Sequence, residues 1–218
     1  MKEKFLENQI GYSGKVQSLW GVPVMLFENA FSLKPAELEI IKNLEFDNSD
    51  DQNNLVKTSI KKQLFNETIE LADVRDQINH YACKFIDEII CVDNEFEMVQ
   101  SWVTKTRPGE EHPTHTHQGA IFSLVYYVES EKSELRFNYQ QNFLTKGFNF
   151  EYNIKNYNIF NSQEVVYKPR TGDILMAPGY VTHKAKNLGT KDKYVIGANY
   201  FIRGDVGNYE NITIVKNI

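Results

Sequence analysis

At 218 residues, 41% of them hydrophobic and 13% aromatic, the chain can bury its own core without disulfide or metal staples. Its formal net charge of -5 argues against an electrostatic nucleic-acid binder, because such proteins carry a basic face that neutralises phosphates. Nowhere do ~18 apolar residues run together, and residues 1–10 alternate charged with apolar side chains instead of forming a signal-peptide core, so a soluble cytoplasmic protein without membrane contact is expected.

Taken in chain order, residues 1–19 show no clean period and read as an arm. Residues 21–27 (GVPVMLF) read as a short strand, which Pro23 confines to an edge or a strand start. Ser32-Leu33-Lys34-Pro35 opens a helix with Pro35 in its first turn and Leu38, Ile40, Ile41 and Leu44 following; residues 48–54 (NSDDQNN) are a polar loop. The strongest helical pattern spans 66–90, where Ile69, Val74, Ile78, Tyr81, Ala82, Phe85, Ile86, Ile89 and Ile90 recur at steps of three and four and bury one face. His80, in this helix and apart from other ligand types, reads as a packing or surface residue. Cys83 and Cys91 are spaced neither as a CxxC redox pair nor as a zinc knuckle, and read as reduced packing residues of an intracellular protein.

From Phe96 onward the period becomes two, with strands expected at 97–106, 120–129, 134–139, 163–168, 173–177, 181–185 and 193–203. Helices followed by many strands indicate an α+β fold, an antiparallel barrel or sandwich packed on N-terminal helices. No repeat or linker divides the chain. We expect a single domain over 1–218, in which 1–95 supports a core at 96–205. The stretch 138–160, rich in Asn, Phe and Tyr, reads as an insertion of the kind that forms lids or substrate walls.

Three of the five histidines fall within Glu111-His112-Pro113-Thr114-His115-Thr116-His117, and a fourth, His183, lies far downstream. Imidazole is a common ligand for iron, zinc, copper and nickel. In an extended segment His115 and His117 share a side, whereas His112 has the opposite parity and adjoins Pro113 in an expected turn, which makes it a supporting or exposed residue. Downstream, Gly172-Asp173 suits a tight turn into a buried strand and Pro178-Gly179 a second one, leaving His183 near a barrel mouth. On 193–203 one face is apolar (Tyr194, Ile196, Ala198, Tyr200, Ile202) and the other carries Lys193, Gly197 and Asn199. Those polar groups would be costly on an inward face unless they met a ligand; the alternative is a solvated face.

The residues Trp102, Gly109, His115-x-His117, Ser123, Tyr126-Tyr127-Val128, Gly172-Asp173, Pro178, His183, Lys193 and Asn199, in that order and spacing, resemble the small 2-oxoglutarate/Fe(II) oxygenases of phage and bacterial genomes over roughly 97–203. The resemblance implies a double-stranded β-helix, or jelly roll, whose open end holds Fe(II) through His115, His117 and His183. It implies 2-oxoglutarate as co-substrate, chelating the metal through its C1 carboxylate and keto group while Lys193 meets its C5 carboxylate. Hydroxylation of a substrate with release of succinate and CO2 is the implied reaction.

Two departures from the family pattern stand out. His117 occupies the usual carboxylate position of the facial triad; three neutral ligands leave more positive charge on the metal, which favours 2-oxoglutarate chelation and weakens discrimination against zinc. Lys193 stands where Arg is commoner and lacks the bidentate fork, so a hydroxyl from Tyr127 or Ser123 is expected to assist, and Asn199 joins them as a cofactor-side candidate. The rival readings are a cupin-type three-His enzyme, for which a buried cation at Lys193 has no use, and a jelly-roll binding protein with a vestigial metal. The substrate, whether a peptide, a sugar nucleotide or a small metabolite, and any homo-oligomeric state are left open by the sequence.

Overall fold

The computed structural model describes residues 21–47, 56–138, 153–158, 160–206 and 213–215. The expected arm at 1–19, the loop at 48–54 and most of the 138–160 insertion lie outside the described residues.

Near the N-terminus come strand β1 (Met25–Phe27), helix α1 (Pro35–Lys42), short strand β2 (Lys57–Thr58), a single turn α2 (Leu64–Glu67), and helix α3 (Ala72–Phe85), which runs on as a π-helical turn over Ile86–Ile90. Pro35 takes the first turn of α1, where a missing N–H costs nothing, and the Glu37 carboxylate accepts the Lys34 N–H at 2.7 Å. The helical stretch expected over 66–90 is interrupted. Thr68 leaves helical geometry (φ -141°) and a 3-10 turn follows at Ile69–Leu71, so the helical phase restarts and Ile69 is 70% exposed. The π turn adds a residue to the last turn and rotates Ile89 outward. The stripe that remains buried is Val74, Ile78, Ala82 and Phe85. The packing role expected of the cysteines is overturned: Cys83 and Cys91 are free, exposed thiols, Cys83 off that stripe and Cys91 beyond the helix end in the left-handed region (φ 53°).

The remaining strands are β3 (Glu95–Thr106), β4 (Glu111–His115), β5 (Phe122–Glu129), β6 (Ser133–Asn138), β7 (Glu164–Tyr167), β8 (Ile174–Pro178), β9 (His183–Asn187), β10 (Lys193–Val206) and β11 (Thr213–Val215). They form two antiparallel sheets, a larger one in the order β1-β8-β5-β10-β3-β2 with β11 on β10, and a smaller one in the order β4-β9-β6-β7. Successive strands cross from one sheet to the other at β3/β4, β4/β5, β5/β6, β7/β8, β8/β9 and β9/β10. The result is a double-stranded β-helix in an α+β setting, as expected.

The larger sheet has two unlike faces. Outward it packs Phe122, Leu124, Tyr126, Ile174, Met176, Ile196 and Tyr200 against Ile41, Leu64, Phe65, Val74, Ile78 and Phe85 of the helical layer. Phe85 meets Phe122 at 5.0 Å between ring centroids, and Phe122 stacks on Tyr200 at 4.7 Å. Between the sheets lies a smaller core of Leu135, Phe137, Leu175 and Ala177. The helices therefore carry most of the apolar burial, and the space between the sheets is free to hold polar groups.

Candidate metal and co-substrate site

His115 ends β4, His183 begins β9, and the two residues are register partners. His117 lies just beyond β4, where its N–H donates to Gly179 O at 2.8 Å. That contact needs a glycine: a Cβ at Gly179 would lie 2.3 Å from Ala120 O and 2.9 Å from His117 O. The Pro178-Gly179 turn thus locks the loop that positions His117.

The ligand atoms of His115, His117 and His183 all lie within 4.8 Å of one another. The Nδ1 of His115 lies 2.7 Å from Pro113 O and that of His183 lies 2.9 Å from Val181 O. A carbonyl only accepts, so both Nδ1 atoms carry the proton and both Nε2 atoms offer a lone pair, the arrangement that orients metal-binding imidazoles. The Nε2 atoms of His117 and His183 face each other at 3.3 Å, a convergence of nitrogen donors that a divalent cation satisfies. Burial and its histidine neighbours pull the His117 pKa down to about 3, and burial pulls that of His183 down to about 4, so these two imidazoles are neutral and available as ligands at physiological pH.

His112 lies closer to this cluster than its parity suggested. A bulge in β4 between His112 and His115 absorbs a residue and returns His112 to the inner side, where its ring lies 4.2 Å from that of His115 and lines the same cavity. Burial, and then the adjacent His115, pull its pKa down to about 3. His80 sits on α3 outside the cluster, against Tyr81.

The cavity under the histidines is walled by Trp102, Val125, Leu135, Ala185 and Val195, and has Lys193, Tyr127 and Thr104 as its polar groups. Lys193 is 3% exposed, and no described residue offers it a hydrogen bond or counter-ion. Burial pushes its pKa down to about 8, so it is still mostly protonated at pH 7. Tyr127 is equally buried; burial raises its pKa, and its hydroxyl has no described partner, so it remains a neutral donor. A buried, unpaired ammonium is expensive. Both groups fit a bound carboxylate.

Of the four cofactor-side candidates, Lys193 and Tyr127 thus line the cavity, whereas Ser123 and Asn199 do not. Ser123 Oγ donates to Asn199 Oδ1 at 2.7 Å, and Asn199 Nδ2 donates to Gln100 Oε1 at 2.9 Å. They share the inner face with Lys193 but lie past Gly197. The alternative of a solvated face is overturned, since Lys193 and Asn199 are both buried. Gly197 is needed because Trp102 lies over it: a Cβ there would be 2.5 Å from the indole, whose ring in turn lies 5.7 Å from that of His117. Gly179, Gly197 and His112 are the contributors that sequence reasoning did not assign to the site.

The jelly roll thus sets three converging imidazoles above a buried cation, donor chemistry that suits a divalent metal and a carboxylate. Residues 100–196, a span that includes the three histidines and Lys193, match the family model described as "Putative 2OG-Fe(II) oxygenase". Two solved structures share the fold. An oxidoreductase of the 2OG-Fe(II) oxygenase family from Burkholderia pseudomallei is 12% identical with a TM-score of 0.53, covering 81% of this chain and 83% of that one. HygX from Streptomyces hygroscopicus, with nickel and 2-oxoglutarate bound, is 11% identical with a TM-score of 0.56, covering 82% of each chain. No curated protein matches the chain in sequence. Among the described residues no helix is long and apolar enough to cross a membrane.

Proposed function

We propose that the protein is a 2-oxoglutarate- and Fe(II)-dependent dioxygenase that hydroxylates a substrate with release of succinate and CO2. The observation that carries this reading is Lys193, a buried ammonium without a described partner, on the wall of the cavity that the three histidines cap. A cupin-type enzyme without co-substrate has no use for that charge.

His115, His117 and His183 would hold the iron, with Pro113 O and Val181 O fixing two of the rings. When bound, Fe(II) with 2-oxoglutarate supplies the oxidising power, drawn from O2, that hydroxylation of an unactivated carbon requires. Lys193 and Tyr127 bind the distal carboxylate of the co-substrate, the first by charge and the second by an O–H donor. Val125, Leu135, Ala185 and Val195 keep water from that contact and so strengthen it. Trp102 braces the His117 ring on the side of Gly197. Three neutral imidazoles would leave the charge of the iron to be offset by the co-substrate's other carboxylate, Lys193 taking the distal one, which would couple metal retention to 2-oxoglutarate. HygX, with nickel and 2-oxoglutarate bound on the same fold, is consistent with this assignment. The free thiols fit a reducing compartment such as the cytoplasm.

The test is oxygen-dependent consumption of 2-oxoglutarate by the iron-loaded protein. Succinate formed one-for-one with 2-oxoglutarate consumed, and lost in Lys193→Met, is expected. Iron-loaded protein that leaves 2-oxoglutarate intact contradicts the proposal.

A further inference from the structure

We propose that the inner face of β3 and β10 beyond the metal level binds the primary substrate, and that this substrate is a peptide carrying a positive charge. The inference rests on the oxygenase reading for where oxidation occurs; the binding surface itself is read from its side chains.

Along β10 the inner face runs Lys193, Val195, Gly197, Asn199, Phe201, Arg203, with a step of roughly 7 Å between successive members. The co-substrate cavity uses the first three and ends at Gly197 and Trp102 beside His117. The next row is polar and neutral. Ser123, Asn199 and Gln100 stand opposite one another on β5, β10 and β3, joined by hydrogen bonds that all run in one direction, from the Ser123 hydroxyl through the Asn199 amide to Gln100 Oε1. The row ends on the Gln100 Nε2 donor, which has no acceptor among the described residues. Its natural complement is a carbonyl.

One step further lies Glu97. It is three residues from Gln100, a spacing that puts two side chains on opposite faces of a regular strand. A bulge at Val99 changes this: Asn199 pairs with Gln100 but Tyr200 pairs with Met98, so Glu97, opposite Phe201, returns to the inner face. Bulges recur beside active sites because they re-aim a side chain in this way. The Glu97 Oε2 is buried with no hydrogen-bond donor among the described residues; the Arg203 guanidinium stands 3.8 Å off, an ion pair too long for a hydrogen bond. The Glu97 side chain as a whole stays 34% exposed, so an incoming ammonium or guanidinium can reach the carboxylate and give it the close partner that Arg203 does not.

The surface therefore offers a donor for a carbonyl and then an acceptor for a cation. From the Gly197 level to the Phe201 level is four strand residues, roughly 13 Å, longer than one amino acid and matched by an extended peptide whose charge lies a few residues from the oxidised one. A phosphate-bearing ligand would meet Glu97 with like charge, and the net charge of -5 draws cations at long range.

The test is calorimetric titration of the nickel- and 2-oxoglutarate-loaded protein, and of the metal-free protein, with end-blocked pentapeptides that differ only in Lys, Gln or Glu at one scanned position. We expect a Lys peptide to bind at least ~tenfold tighter than its Gln counterpart, with the Glu peptide weakest. Glu97→Gln should erase that preference while leaving the Gln peptide unchanged, and Gln100→Ala should weaken all three. No charge preference, a preference that survives Glu97→Gln, or no peptide binding at all overturns the inference. A 2-oxoglutarate titration in the same samples separates the two readings. Normal co-substrate binding without a Lys preference sinks the peptide surface alone. Failure of the nickel-loaded protein to bind 2-oxoglutarate sinks the oxygenase reading, and the metal-free Lys preference and its loss in Glu97→Gln still decide the surface.

Discussion

The two faces of β10 are made from alternate residues of one strand and serve opposite ends. Tyr194, Ile196, Ala198 and Tyr200 sink into the helical layer, where burial is favourable at roughly 25 cal/mol per Å² of apolar surface. Lys193, Gly197 and Asn199 lie on the inner side, where a charge is desolvated without a partner among the described residues, a Cβ is forbidden by an indole, and an amide is held by other side chains. The difference teaches that the helices stabilise the sheet so that its inner side can hold groups that are unfavourable until a ligand arrives.

Substitutions on the two faces should therefore move different observables. The largest stability effect is expected on the helix side, where Ile196→Ala opens a hole in a fully buried position and should cost about 2–5 kcal/mol by chemical denaturation, leaving the metal affinity of the folded protein unchanged. Lys193→Met should act in the reverse sense. Its folded-state pKa of about 8 lies below the ordinary lysine value of 10.5, so between those values the unfolded chain binds the proton and the native one does not. Stability therefore rises with pH through that window, and at pH 7 the buried charge costs ~3 kcal/mol. Removing it should stabilise the ligand-free protein by up to that amount while sharply weakening 2-oxoglutarate binding.

Gly197→Ala, which drives a methyl into Trp102, is expected to cost about 1–3 kcal/mol and, unlike Ile196→Ala, to weaken metal binding through His117. Smaller again is the effect of pH on the co-substrate. With Lys193 titrating at about 8, the 2-oxoglutarate dissociation constant should stay flat below that value and rise about tenfold per pH unit above it, and Lys193→Arg should flatten the profile because a guanidinium does not titrate there. His80→Ala should change stability by no more than about 0.5 kcal/mol and leave metal binding untouched; an effect on metal would break the ligand assignment.

Much of the site was legible because its chemistry is written in residue types that a core seldom uses. His115 and His117 at strand spacing, His183 after a Pro-Gly turn and Lys193 on a strand with one apolar face are visible without coordinates. What stayed hidden is geometry made by extra residues. Strand parity excluded His112 from the inner side, but the bulge in β4 restores it; the bulge at Val99 does the same for Glu97. Parity likewise put Ser123 and Asn199 on the correct face yet said nothing of depth, so residues past Gly197 were grouped with Lys193. Gly179 and Gly197 matter through contacts with Ala120, His117 and Trp102 that lie far away in sequence. In the helical region the 3-10 and π turns defeated a single-phase reading and left Ile69 and Ile89 exposed.

The most direct test of the account is an anaerobic titration of the Fe(II)-loaded protein with 2-oxoglutarate, followed by visible absorption. Saturable growth of a metal-to-ligand charge-transfer band in the wild type is predicted, with weakened affinity in Lys193→Met and no iron retained in His183→Ala. Wild-type protein that demonstrably holds iron and gives no band on adding 2-oxoglutarate would contradict it.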